Sequence, residues 1–191
     1  MRKLVYYVAV SLDGYIAGPG GEYDFLPPTP DVTAWIGEHY PETVPAHARE
    51  FVGIPLDTPN KVFDTVLMGR GSYAPALDAG IHSPYPHLEQ LVFSRTLAPQ
   101  DDSPVRILDA DPADVVRELK RQPGRDIWLC GGGDLAGQLL GEIDRLIIKS
   151  NPVVAGDGVR AFTGTFDPTR FAVTERTEFG DGVQVTHFDR R

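Results

Sequence analysis

The sequence predicts an α/β domain built on a mostly parallel sheet, with an antiparallel hairpin at its C-terminal end and helices alongside. Three observations carry that expectation. Short apolar runs rich in Val, Ile and Leu recur along the chain, continuous enough to be covered on both faces and too short for helices. In the second half these runs alternate with helical segments. The last two runs instead alternate apolar and polar residues around Gly180-Asp181-Gly182, which is a hairpin signal.

Taken in order, Leu4 to Val10 reads as a central strand. It breaks at Ser11-Leu12-Asp13-Gly14, and the glycines up to Gly21 predict a mobile loop lying over something. Asp31 to His39 reads as a helix with Asp31 as N-cap. Tyr40 to Asn60 holds four prolines and reads as an irregular insertion with one short helix near Ala46 to Phe51. Val62 to Met68 is a strand that ends at Gly69-Arg70-Gly71-Ser72, where a helix starts. Leu88 to Phe93 is a strand that stops at Ser94-Arg95, and Val105 to Leu108 is short and extended. Pro112 opens a helix over Ala113 to Arg121, because proline suits a first helical turn. Asp126 to Cys130 is a strand, Gly131-Gly132-Gly133 follows, and Asp134 to about Leu140 is helical. Asp144 to Ser150 is a strand, and Phe171 to Phe179 with Val183 to Phe188 form the hairpin. No repeat, low-complexity segment or linker interrupts the 191 residues, which read as a single domain.

Composition narrows the function. The chain is 41% hydrophobic, enough for a sizeable core, and its 27 acidic residues against 18 basic ones give a formal net charge of -9. Such a surface repels phosphate backbones and argues against nucleic acid. A single cysteine, Cys130, and five scattered histidines offer no metal-ligand spacing, so no metal is expected. The apolar run at Leu4 to Val10 is too short to span a membrane, and the protein reads as cytoplasmic.

Two local patterns point to a phosphorylated ligand. The triple glycine lies between a strand and a helix, where unpaired N–H groups and the helix dipole favour an anion. A plain strand-to-helix turn would look the same, and Asp134 is unfavourable beside a phosphate unless it serves as N-cap or first-turn acid. Arg70 with Ser72, and Ser94 with Arg95, repeat one theme at two strand ends. In a chain this acidic, the pairs point to the 2′-phosphate of NADP rather than to NAD.

Four pieces then occur in an ordered set: Val8-Ala9-Val10-Ser11-Leu12-Asp13-Gly14-Tyr15-Ile16-Ala17, Val66-Leu67-Met68-Gly69-Arg70, Val92-Phe93-Ser94-Arg95, and Trp128-Leu129-Cys130-Gly131-Gly132-Gly133. Together they resemble the dihydrofolate-reductase superfamily. The Ser-Leu-Asp-Gly loop and Asn151-Pro152-Val153-Val154-Ala155-Gly156-Asp157-Gly158 resemble its branch containing the C-terminal reductase domain of the bifunctional riboflavin-biosynthesis enzyme.

The resemblance implies a dihydrofolate-reductase-like sheet of about eight strands and NADPH as cofactor. Ala9, Ile16 and Ala17 would line the nicotinamide end. Gly69, Arg70, Ser72, Ser94 and Arg95 would hold the adenosine side. Cys130, Gly131, Gly132, Gly133, Asp134 and Leu135 would pass under the pyrophosphate, with a cis peptide between Gly131 and Gly132. Hydride would pass to an electron-poor C=N or C=O of a small heterocyclic or conjugated substrate.

The catalytic residue stays open. Asp24 and Asp31 are the candidates for the carboxylate with which the superfamily holds a pterin, although Asp31 reads equally as an N-cap. Asp13 is expected to brace its loop through backbone hydrogen bonds. Lys149, in Ile147-Ile148-Lys149-Ser150, reads either as an edge-strand or surface lysine, or as a pocket residue, since the matching strand of the superfamily borders the pterin site. The branch also implies a two-fold homodimer through the sheet edge or its flanking strands. Against the reductase stand two other readings: an NADP(H)-binding sensor or sequestering protein without turnover, and a conventional dihydrofolate reductase.

Overall fold

The computed structural model of the protein describes residues 1–99 and 103–191. In chain order its elements are β1 (Leu4–Val10), β2 (Tyr15–Ala17), α1 (Pro30–His39), α2 (Ala46–Arg49), β3 (Phe63–Gly69), α3 (Arg70–Asp78), β4 (Glu89–Phe93), β5 (Val105–Leu108), α4 (Pro112–Arg121), β6 (Asp126–Gly131), α5 (Gly133–Gln138), β7 (Arg145–Ser150), β8 (Val159–Arg160), β9 (Phe171–Glu178) and β10 (Gln184–Arg190). Eight strands form one sheet in the order β5-β4-β3-β6-β1-β7-β10-β9, and β2 pairs with β8 apart from it. From β5 to β7 every ladder is parallel, whereas β10 runs antiparallel to β7 and β9 antiparallel to β10. This is the mostly parallel sheet with an antiparallel C-terminal pair that the apolar runs predict.

The central strands are apolar throughout because both of their faces are covered. On one face, Leu4, Tyr6, Leu67 and Leu129 pack under Val116 and Leu119 of α4 and under Leu135, Ala136 and Leu139 around α5. On the other, Val5, Tyr7, Val66, Met68, Trp128 and Ile147 pack with Tyr40, Tyr73 and Tyr85. β9 lies at the sheet edge and is largely exposed, which is why its sequence alternates. In α4, Asp111 caps the N-terminus by accepting from the N–H of Ala113 at 2.8 Å and of Asp114 at 3.2 Å, and Pro112 follows as expected. No helix among the described residues is long and apolar enough to cross a membrane.

Two expectations need correction. Helix α1 begins at Pro30 with Thr29 at its N-cap, so Asp31 is a first-turn acid and not the cap. Proline fits the first turn without losing a hydrogen bond, so it moves the start one residue earlier. Lys149 is not on an edge, because β7 is flanked by β1 on one side and β10 on the other.

The proline-rich segment 40–60 is the expected irregular insertion, with its short helix where the sequence placed it. It holds α2 and two short 3-10 turns, Pro41–Thr43 and Glu50–Val52, fastened by two fully buried charges. Glu42 accepts from the N–H of Val62 at 2.6 Å, Phe63 at 2.7 Å and Lys61 at 3.2 Å, closing the entrance to β3. Arg49 donates to the carbonyls of Val44, Leu56 and Pro41 at 3.3, 3.2 and 3.1 Å. Buried charges persist only when bonded in this way. A Glu42→Gln variant would turn an NH2 group toward at least one of these N–H donors. It is expected to lose about 3 kcal/mol of stability, measurable by urea unfolding. A loss within experimental error would show that Glu42 does not hold the segment.

Candidate functional site

Because β1, β3, β4, β6 and β7 are parallel, their C-terminal ends open on one side of the sheet. Ligands of open α/β sheets bind at that end, where the strand order reverses. Here β6, late in the chain, sits between β1 and β3. Its pairing with β3 slips between Leu67 and Met68, so that Leu129 faces Leu67 but Gly131 faces Met68. Such irregularities commonly re-aim backbone beside a site.

The peptide between Gly131 and Gly132 is cis. The three glycines answer to different demands. Gly131 has φ of 148°, open only to glycine in practice. A Cβ on Gly133 would stand 1.9 Å from the carbonyl oxygen of Arg160, so packing alone excludes a side chain. Gly132 has φ of -94°, and a Cβ there would meet only Ser72 Oγ at 3.7 Å and Ile16 Cδ1 at 4.0 Å. Among the described residues no steric contact requires glycine at 132. The space above it, framed by Ser72 and Ile16, is a shallow cradle that a methyl group would begin to fill.

Asp13 holds the roof of this cradle. Its carboxylate takes the Ser11 hydroxyl at 2.6 Å, the N–H of Ala155 at 3.0 Å and the N–H of Gly156 at 2.7 Å. Those bonds, the Ser11 hydroxyl foremost, pull its pKa down to about 2. The N–H of Leu12 meets the carbonyl of Val153 at 2.7 Å, and the N–H of Ala161 meets that of Gly14 at 2.9 Å. A short β2–β8 ladder joins Tyr15 and Ala17 to Arg160 and Val159. The N–H of Thr163 then bonds the carbonyl of Gly133 at 3.1 Å. The segment expected to be a mobile loop is therefore tied to 151–163 by backbone bonds, and Asp13 braces it as expected.

Arg70 opens α3, and Ser94 and Arg95 follow β4, the strand beside β3. Both arginines are exposed, and among the described residues neither pairs with a carboxylate. Ser94 Oγ accepts from the N–H of Leu97 at 3.0 Å and of Thr96 at 3.2 Å and lies 3.4 Å from Thr96 Oγ1. Asp134 is a first-turn acid of α5, exposed and bonded by Gln138 Nε2 at 3.0 Å, while Gly132 takes the N-cap position. Leu135 is buried in the core beneath.

The other face of the same strand ends carries Ala9, Cys130 and Lys149. Lys149 is in register with Ala9 on β1 and Val185 on β10. Its ammonium lies over the Tyr7 ring, 4.0 Å from the centroid. Burial pushes its pKa down to about 8. Burial pushes the Cys130 thiol up to about 12, so that neighbour is neutral and gives the ammonium no counter-ion. Tyr7, Trp128 and Ile147 below are sealed, whereas Ala9, Cys130 and Lys149 keep partial exposure. Asp24 and Asp31 are both exposed, and no carboxylate perturbs Lys149. Sequence reasoning missed Tyr7 and Tyr85 as the walls of this face; the alternation of β1 placed Tyr7 and Ala9 together, but nothing local to Tyr85 signalled it.

Residues 84–185, more than half of the chain, match the RibD C-terminal domain. The chain belongs to that family. Among its relatives, the uncharacterized Bacillus subtilis proteins YwjB and YyaP are each 29% identical to it. The alignments span 99% of this chain and 98% of YwjB, and 95% of this chain and 92% of YyaP. A Shewanella sp. PV-4 protein assigned to riboflavin biosynthesis superposes with a TM-score of 0.72 at 23% identity, over 100% of this chain and 99% of its own. The Thermotoga maritima diaminohydroxyphosphoribosylaminopyrimidine deaminase/5-amino-6-(5-phosphoribosylamino)uracil reductase superposes with a TM-score of 0.65 at 16% identity. All of this chain is covered there but only 57% of that larger protein. The fold is thus the dihydrofolate-reductase-like one.

The Asp13 bonds yield a test. A group whose folded pKa is depressed stabilises above its ordinary value and loses that contribution as pH falls through the folded value. An Asp13→Asn variant is expected to release the clamp at neutral pH. The amides of Ala155 and Gly156 would then exchange with solvent at least tenfold faster, while the far-ultraviolet circular dichroism stays unchanged. Unchanged exchange would remove Asp13 from this role.

Proposed function

We propose that the protein is an NADPH-dependent reductase of a small conjugated substrate, with the cofactor stretched across the C-terminal strand ends. The observation that carries this is the cradle over Gly132. It is open where packing does not need a glycine; Arg70 and Arg95, exposed and without a carboxylate among the described residues, follow the ends of β3 and β4, and the half-buried Lys149 stands on the other face of the strand ends. The residues fit the group. Gly131 and Gly132 with Ser72 would underlie the pyrophosphate, and Arg70, Ser94 and Arg95 would take the 2′-phosphate. Ala9, Ile16 and Ala17 would bound the nicotinamide end. When bound, NADPH would supply the hydride.

The chain's own part is to orient and to exclude water. The clamped 11–17 segment is a fixed wall, so the Ile16 side chain holds its place beside Gly132 without a closing motion. Family membership supports a role like that of the riboflavin-pathway reductases. The exposure of Asp24 and Asp31 disfavours a conventional dihydrofolate reductase, which needs a carboxylate in its pocket. A cofactor-binding protein without turnover is the second reading, favoured by the lack of a placed carboxylic acid. Loss of the reduced-nicotinamide absorbance in the presence of substrate separates the two.

Cofactor binding tests the placement directly. By nicotinamide fluorescence, NADPH is expected to bind at least tenfold more tightly than NADH, since a charge-assisted phosphate contact contributes roughly 1.5–3 kcal/mol. The Arg70→Ala/Arg95→Ala double variant should abolish that difference. Gly132→Ala should fold as the wild type does and bind NADPH at least tenfold more weakly. Equal affinity for the two cofactors, or full affinity in the alanine variant, would displace the cofactor from this strip.

The family reading also carries a two-fold homodimer across the exposed β9 edge, where Val173 is 53% exposed. Sedimentation at micromolar concentration should give twice the chain mass, and a monomer would refute it.

A further inference from the structure

Lys149 is an expensive residue to keep where it stands. Its ammonium lies over the Tyr7 ring, 4.0 Å from the centroid, and pairs with no carboxylate among the described residues; the ring contact offsets part of the lost hydration. The groups facing it are uncharged at neutral pH. They are Tyr7 on β1, Cys130 on β6, Tyr85 from the segment before β4 beside Cys130, and Val185 on β10, with the buried His187 one pleat beyond. Burial likewise raises both tyrosines. A cation held this way, on a face that opens only at Ala9, Cys130 and Lys149, is suited to meet negative charge that develops on a ligand. It is unsuited to a ring that becomes cationic, which would need a carboxylate in its place.

We propose that Lys149 is the catalytic group toward the substrate, and that the substrate is a conjugated carbonyl compound of the enone or quinone type rather than a C=N heterocycle. This rests on the reductase reading above and names its substrate class. For an enone, hydride from the reduced nicotinamide forms the new C–H bond at the β-carbon. The C=C π pair moves into the carbonyl system, and the oxygen becomes an enolate. Lys149 Nζ donates its hydrogen bond and then its proton to that oxygen, and takes a proton back from solvent. The enol tautomerises to the saturated ketone, and the nicotinamide leaves oxidised. Protonation of Lys149 is the active form, so turnover falls as pH rises through about 8.

Two measurements test this, one of them without cofactor. Para-nitrophenolate, a delocalised oxyanion, is expected to bind the wild type at least tenfold more tightly than Lys149→Met, read from its visible absorbance. With NADPH, cyclohexenone or menadione is expected to be reduced and dihydrofolate not. Lys149→Met should lose about a hundredfold in kcat with NADPH affinity unchanged and no loss of stability to urea. Lys149→Arg should recover part of that rate and move the alkaline decline to higher pH. Equal phenolate binding by wild type and Lys149→Met overturns the proposal, as does reduction of dihydrofolate but of neither carbonyl compound. A wild type that binds no NADPH would instead defeat the reductase reading, while the phenolate comparison would still decide whether Lys149 is an oxyanion site.

Discussion

β1 and β3 never touch; β6 is laid between them and supplies a parallel ladder to each. Everything at the site depends on that insertion. A strand that enters late, after the chain has already extended outward through β4 and β5, must lie parallel to both neighbours. The loops after Val10, Gly69 and Gly131 therefore leave on the same side. With β6 removed, the Gly131-Gly132 step would have no position relative to Ser72 on α3 or Ile16 on β2. The register slip opposite Met68 adds a local turn to the same strand, so one element sets both the place and the direction of the cradle.

The second dependence runs through Asp13. Two sequence stretches that look like separate motifs, 11–17 and 151–158, are one physical unit because a single carboxylate in the first fills its lone pairs with N–H groups of the second. The continuation to Arg160 explains why Gly133 admits no side chain. The floor and the roof of the cradle are thus braced by the same loop, and a change at Asp13 reaches Gly133 through backbone alone.

Much of the frame was legible in the sequence because burial writes itself into composition. Strands covered on both faces read as apolar runs, and the C-terminal pair that ends at the exposed edge strand β9 reads as alternation. The failures have long-range causes. Lys149 looks like an edge residue because its neighbour β10 comes from residues 184–190, which no local window includes. Glu42 and Arg49 look like charges in an irregular loop, since the backbone groups they satisfy are set only after β3 is in place. Gly131, Gly132 and Gly133 are identical letters with three separate causes: a dihedral angle, an open space and a collision. Gly69, Ser72 and Ile16 come together around Gly131 and Gly132, but the sequence could not say which of them the protein needs for itself.

The net charge of -9 sharpens the reading of the remaining cations. Screening limits each surface charge to about 8 Å at physiological ionic strength, so the acidic excess acts on a cation only through its neighbours. Most buried or half-buried cations here have carboxylate neighbours: Arg2 meets Asp64, Lys120 meets Asp144 and Arg145 meets Asp189. Arg49 uses carbonyls instead, three of them. Among the described residues Lys149 has neither; its ammonium lies over the Tyr7 ring and it keeps only partial exposure at the end of an internal strand. A cation confined in this way is poised for charge that arrives with a ligand, which is why the electrostatics of the site point to an anionic oxygen and away from a pterin cation.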